Sequence, residues 1–250
     1  MILKILSYPR SLLSALIYPP FIIFYSIATI LAVAVFRSRR LQDFLMTCWA
    51  RQSCYLFGVD VELHGEALPA HQGCVYVFNH TSFFDIFAIQ GWIKNLRFGA
   101  KIELYKIPFF GKAMQMAGVL PIARQSKEDV FKVYEEAQSR LSKGEKFALA
   151  PEGTRQHNEK IGSFKSGPFI FAINCQVPLV PVVVCGAAQA LPNDKWIPMW
   201  GIWSKKIQVS ILPAVATTGL AVSARSQLQV QIKAQMESEL ARLQGATQDL

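Results

Sequence analysis

The sequence predicts an α/β fold carrying a helical pair at its N-terminal end, and three observations support this. From residue 59 onward, short apolar β-branched runs alternate with stretches of helical periodicity. The polar and ionisable residues between them fall at the ends of strand-like runs, where α/β sheets place their ligands. Ahead of this region, residues 11–36 carry no charged side chain, and 250 residues leave room for one sizeable domain plus such an appendage.

The N-terminal segment raises the question of membrane insertion. Pro19-Pro20 interrupts it, and from Phe21 to Phe36 a helix would reach only about 24 Å, short of a hydrocarbon core of roughly 30 Å. A kinked or re-entrant insertion is therefore expected rather than a simple span. Lys4 and Arg10 precede the segment while Arg37, Arg39 and Arg40 follow it, so both ends are expected on the cytoplasmic face, and the expected location is the inner (plasma) membrane. A cleavable signal peptide is disfavoured, because the apolar run is too long and no small-residue cleavage site follows it. From Leu41 to Phe57, Phe44, Leu45, Trp49 and Tyr55 alternate with Gln42, Asp43, Arg51 and Gln52 in a helical rhythm. This second, amphipathic helix should pack back on the first. The expected division is thus a membrane-associated hairpin over 1–57 and an α/β domain over 58–250.

Val59-Asp60-Val61-Glu62-Leu63 alternates strictly and reads as a strand with one wet face. Cys74-Val75-Tyr76-Val77-Phe78 is a short run between Gly73 and Asn79, hence a buried strand. It ends at a polar knot, Asn79-His80-Thr81-Ser82-Phe83-Phe84-Asp85, after which Ile86, Phe87, Ile89 and Trp92 carry helical spacing. On one continuous helix, side chains five residues apart would point about 140° away from each other. His80 and Asp85 can therefore meet only if His80 lies before the helix begins. Ser82 as N-cap, with Asp85 three residues on, supplies that start. A histidine with one ring nitrogen held by a carboxylate presents the other as a base, with an ordinary pKa of about 6.5 suited to proton transfer near neutrality.

Leu96 to Ala100 is expected to be a strand with Lys101 at its end, and Ile107 to Ala117 a helix beginning near Pro108. Val119 to Ile122 is a strand delivering Arg124. Ser126 with Asp129 forms another capping box, and Val130, Val133, Tyr134, Ala137 and Leu141 are the stripe of a helix closed by Gly144. Phe147 to Ala150 is strand-like and runs into Pro151-Glu152-Gly153-Thr154-Arg155. There Gly153 permits close backbone approach, Thr154 offers a hydroxyl and Arg155 a planar fork suited to phosphate. Lys101, Arg124, Arg155 and Lys165 are candidates to converge on an anion. Leu179 to Cys185 and Lys206 to Leu212 complete the strands. Between them Trp196, Trp200 and Trp203 lie among Lys195, Lys205 and Lys206, as at a membrane interface. Residues 223–243 form a polar helix with Leu228, Ile232, Met236, Leu240 and Leu243 on one side, expected as a lid on the sheet edge.

A net charge of +9 with 52% hydrophobic residues points to an anionic membrane or an acidic ligand. No basic stretch is interleaved with aromatics, so a nucleic-acid partner is not expected. Five scattered cysteines and four histidines show no metal-ligand spacing, and neither a metal nor another cofactor is implied.

The two polar stretches resemble the motifs of the glycerolipid acyltransferase family. Asn79, His80 and Asp85 match its first motif, Asn-His-x4-Asp, and Pro151 to Arg155 match another without a change. Lys101, Pro108, Gly111, Gly118 and Arg124 fit the pattern between them, and Val177-Pro178-Leu179-Val180-Pro181 resembles an apolar fourth motif. The resemblance covers roughly residues 58–190. It implies a mixed sheet flanked by helices and acyl transfer from an acyl thioester, either acyl-CoA or acyl carrier protein, to the hydroxyl of lysophosphatidic acid at a membrane surface. His80 and Asp85 would be catalytic. Asn79, Lys101, Arg124, Glu152, Gly153, Thr154 and Arg155 would bind substrate, and the backbone N–H groups after Thr81 are one candidate for the oxyanion. Another lysophospholipid or glycerol-3-phosphate is an alternative acceptor. A lipase or thioesterase is disfavoured by the lack of a Gly-x-Ser-x-Gly elbow. A non-catalytic lipid-binding protein would not require His80 and Asp85.

Overall fold

The strand-forming runs read from the sequence assemble into a single mixed sheet. A computed structural model describes residues 2–69, 71–123, 127–157, 159–192 and 194–248. Among these the elements run α1 (Ile2–Ala34), α2 (Arg39–Leu56), β1 (Val59–His64), β2 (Cys74–Phe78), α3 (Phe84–Gln90), β3 (Leu96–Lys101), α4 (Phe110–Ala117) and β4 (Leu120–Ile122). They continue with α5 (Lys127–Leu141), β5 (Lys146–Leu149), α6 (Gly167–Cys175), β6 (Leu179–Cys185), α7 (Ala187–Ala190), β7 (Lys205–Ile211) and α8 (Arg225–Gln248).

The strand order is β1-β7-β6-β2-β5-β3-β4. Five strands from β6 to β4 run parallel, while β7 is antiparallel to β6 and carries β1 parallel to itself. Central strands covered on both faces need apolar residues at every position rather than at alternate ones. Accordingly β2 and β6 are buried throughout. Cys74, Tyr76 and Phe78 face one core with α2, α3 and α7, while Val75 and Val77 face the other with α5, α6 and α8.

Four expectations are corrected. The Pro19-Pro20 pair does not interrupt the first helix, because α1 runs unbroken for 33 residues with Pro9, Pro19 and Pro20 inside it. Each proline removes a helical hydrogen bond, yet α1 is docked along its length. Ser11 Oγ donates to Met199 O at 2.9 Å, and Ser14 Oγ donates to Leu56 O at 2.9 Å. Tertiary packing outweighs the local break. The helix expected over 107–117 begins later, at Phe110, and residues 102–106 form a 3-10 turn. The C-terminal helix covers a face of the sheet rather than its edge, since Leu228, Ile232, Met236, Leu240 and Leu243 pack into the core shared with β2, β5 and β6. Finally, the helix after the polar knot starts at Phe84, with Phe83 in the cap position.

α2 runs antiparallel to α1, as its contacts with Arg10, Ser14 and Tyr18 fall in reverse order at Phe57, Leu56 and Ser53. Ser38 caps it by accepting the N–H of Leu41 at 3.2 Å. A buried ion pair between Asp43 and Arg97, 2.6 Å apart, ties α2 to β3. The hairpin therefore lies against the layer of the domain that carries the polar knot.

Candidate active site

The site begins where β2 leaves the sheet. Beyond Phe78, which pairs with Val182 of β6, the next rung is made by a side chain. Asn79 Nδ2 donates to Val184 O, and Val184 N donates to Asn79 Oδ1, both at 2.8 Å. With its own main chain released, the strand can turn. On the other flank, Gln156 N donates to His80 O at 2.7 Å, and His80 N donates to Glu152 Oε1 at 3.3 Å. The backbone around His80 is thus held from both neighbouring strands, by β6 and by the segment after β5.

The side chains follow from that anchorage. His80 Nδ1 lies 2.8 Å from Asp85 Oδ2, and the same oxygen accepts the N–H of Thr81 at 2.7 Å and of Ser82 at 2.9 Å. A carboxylate only accepts, so Nδ1 carries the hydrogen and, in the neutral ring, Nε2 keeps its lone pair. Asp85 is fully buried, which strengthens its hold on the ring. Ser82 Oγ donates to Leu191 O at 3.0 Å and receives the N–H of Phe84 at 3.3 Å, fixing the start of α3.

A cavity of 280 Å³ opens against this turn. Its walls come from α1, α2, α3, β3 and α4, with Tyr25, Trp49, Ile86, Phe98 and Met114 among them, and His80, Lys101 and Arg155 also line it. The structure therefore brings three of the expected site residues together. Lys101 ends β3 with its ammonium 3.5 Å from Glu103, and Arg155 is exposed.

The remaining candidates are placed differently. Asn79 and Glu152 are buried and lie outside the lining of this cavity, where both hold the backbone of the turn. Burial pushes the Glu152 carboxyl up to about 7. Gly153 has φ +73, and a side chain there would meet the Lys165 ammonium arm at 2.9 Å. It lines a second cavity, of 410 Å³, together with Lys165, and Gly99 borders both cavities. Thr154 is exposed, and its hydroxyl accepts from Gln156 Nε2 at 3.3 Å. Arg124 lies outside the described residues, as does Ser126. At the helix start, the N–H groups of Thr81 and Ser82 are accepted by Asp85 Oδ2 and that of Phe84 by Ser82 Oγ.

Two features escaped the sequence reading. Gln156, directly after the Arg155 motif, fixes His80 through its main chain, which no side-chain pattern announces. The cavity wall formed by Tyr25, Ser26 and Thr29 was foreshadowed by the hydroxyl residues recurring at helical spacing through α1.

A mixed sheet of this order, with a His-Asp pair at the end of an inner strand and an apolar cavity beside it, defines an α/β domain with its candidate site at a strand end. Its fold is that of the crystal structure of the 1-acyl-sn-glycerophosphate acyltransferase PlsC from Thermotoga maritima, with a TM-score of 0.82 over 97% of this chain and 98% of that one at 24% identity. The chain belongs to the acyltransferase family, whose model, described as Acyltransferase, matches residues 60–185. Among relatives, the human 1-acyl-sn-glycerol-3-phosphate acyltransferase alpha is 32% identical over 207 residues, covering 81% of this chain and 71% of that protein. A chloroplastic 1-acyl-sn-glycerol-3-phosphate acyltransferase of Arabidopsis thaliana is 34% identical over 157 residues, or 62% of this chain. The chain spans less than half the length of that plant relative, 44%, and 80% of a 28% identical 1-acyl-sn-glycerol-3-phosphate acyltransferase from Pseudomonas aeruginosa.

Proposed function

We propose that this chain transfers a fatty acyl group from an acyl thioester, carried by coenzyme A or acyl carrier protein, to the free hydroxyl of lysophosphatidic acid, yielding phosphatidic acid. The observation that supports this most is the single cavity in which a base, two cations and apolar walls from five elements meet. His80 Nε2 removes the proton from the acceptor hydroxyl while Asp85 steadies the imidazolium. The hydroxyl oxygen bonds to the thioester carbonyl carbon, the carbon–sulfur bond breaks, and the departing thiolate takes the proton back from His80. No acyl-enzyme forms. Arg155 and Lys101 hold the acceptor's phosphate, Arg155 through its planar fork. Holding both reactants in register contributes several kcal/mol through proximity. The relatives, named as 1-acyl-sn-glycerol-3-phosphate acyltransferases, support this acceptor.

The same reading assigns residues 1–57 to membrane contact and 58–250 to catalysis, at the cytoplasmic face. Along α1 the residues facing the protein are small or hydroxylic, Ser7, Ser11, Ser14, Ser26, Thr29 and Ala32, whereas Leu12, Leu16, Ile23, Ile27 and Leu31 face outward. That polarity is inverted relative to a helix on a water-soluble surface. It fits a helix lying along one leaflet with the domain beside it.

The test is a matrix of purified donors and acceptors read by product mass. Phosphatidic acid should form with lysophosphatidic acid and an acyl thioester. Turnover with glycerol-3-phosphate or a neutral lysolipid alone would replace the acceptor, and no product with any pair would refute the enzyme.

A further inference from the structure

We propose that two loops at opposite halves of α1, residues 194–204 and 102–109, are additional contacts with an anionic bilayer, an inference that rests on α1 itself facing lipid. The first loop packs on α1 near its beginning. Trp200 meets Tyr8 edge to face at 5.0 Å, and the Arg10 guanidinium sits 4.8 Å above the Trp203 ring. Two of its indoles therefore lie against the first turns of the helix. Among the described residues Trp196 has no such ring partner and is 96% exposed, while Trp200 remains 50% exposed. A fully exposed indole gains nothing for folding, whereas an indole is well suited to the headgroup level of a membrane.

The second loop leads into α4, which packs on the later half of α1 beside the cavity. Ile102, Ile107 and Phe109 are exposed at 44%, 45% and 52%. Phe109 is also held at φ 60 and ψ −52, a conformation that costs a non-glycine residue energy. A strained backbone that turns an aromatic ring toward the outside is unexpected unless something covers that ring.

Charge selects the occupant. Lys195, Lys205 and Lys206 border the first loop, and Lys101, Lys106 and Lys112 the second, in a chain of net charge +9. Asp194, Glu62 and Glu103 pair with Lys195, Lys206 and Lys101, and Glu159 lies near Lys205, so cations outnumber carboxylates around both loops. Apolar tips set among cations fit a surface with anionic headgroups over hydrocarbon. With contacts near residues 8–11 and again near 22–29, separated by about 24 Å along the axis, the helix lies in the plane of the interface rather than across it.

The experiment uses the full chain and vesicles of phosphatidylcholine and phosphatidylglycerol, three parts to one, with brominated phospholipid for fluorescence quenching. Trp196→Ala alters an exposed side chain, and Phe109→Gly places at a positive φ the residue that accepts it most readily, so neither should disturb folding. Each substitution should weaken vesicle partition by about tenfold, and the pair by about a hundredfold. Quenching by the brominated lipid should fall in Trp196→Ala. Wild-type binding that both variants retain, with quenching unchanged, would overturn the loop contacts while leaving the α1 reading intact. Wild-type chain that ignores vesicles, or dimerises and buries Trp196 against a second copy, would overturn both.

Discussion

The turn carrying His80 and the cationic groups that share its cavity are built in opposite ways. Around His80 the main chain is tied on both sides, and Asp85 gathers three hydrogen bonds on one oxygen within a fully buried setting. Lys101 and Arg155 are exposed, and each leans on flexible arms. Proton transfer needs a base fixed to within a fraction of an ångström, whereas a phosphate on a mobile lipid tolerates donors that adapt. Mutations in the first region should therefore damage both fold and rate, and mutations in the second should damage affinity alone.

The largest effect that would sharpen this contrast is expected from Asp85→Ala. It removes the acceptor of the His80, Thr81 and Ser82 hydrogen bonds. Turnover should drop about 10²–10⁴-fold in steady-state assays, with about 3 kcal/mol of stability lost in urea unfolding. Undiminished stability would show the turn to be less dependent on this carboxylate than its bonding suggests. Asn79→Ala should cost about 2–3 kcal/mol, because the N–H and C=O of Val184 lose their partners inside the sheet. Its turnover should fall only as far as His80 shifts.

On the other side of the comparison, Arg155→Ala should raise the KM for lysophosphatidic acid about 10–100-fold with little change in kcat or melting temperature, and Arg155→Lys should restore part of the affinity. A fall in kcat with KM untouched would move Arg155 from holding the acceptor to stabilising the transition state. The smallest effect concerns pH. Burial raises the Glu152 carboxyl from 4.5 to about 7 in the folded chain. Its neutral form is thus favoured by folding, so its contribution is complete below pH 4.5 and is lost as pH rises through about 7. Glu152→Gln should flatten that decline in melting temperature across the same window, and a parallel decline in the variant would assign it to another group.

The same contrast decides how much could be read in advance. The strands of the inner sheet were legible because β2 and β6 are apolar at every position, and the meeting of His80 with Asp85 was legible because helical geometry allowed only one way to achieve it. Residue type, however, does not name a partner. Asn79 and Glu152 carry groups suited to a ligand, yet their partners are Val184, 105 positions away, and the main chain of His80, 72 positions away. The cavity was equally hidden, since five elements contribute to it. α1 was misread for a related reason: a proline pair signals a break locally, and only docking against α2, α4 and the tryptophan loop shows why the helix continues.

The central claim is that the His80 ring, aligned by Asp85, deprotonates the acceptor hydroxyl without any covalent acyl carrier on the protein. Single-turnover acyl transfer by His80→Ala, measured with saturating acyl thioester and lysophosphatidic acid against wild type, tests it most directly. Product formation should fall by at least about 10²-fold while vesicle binding stays unchanged. Phosphatidic acid appearing at the wild-type rate, or an acyl group trapped on the protein, would contradict it.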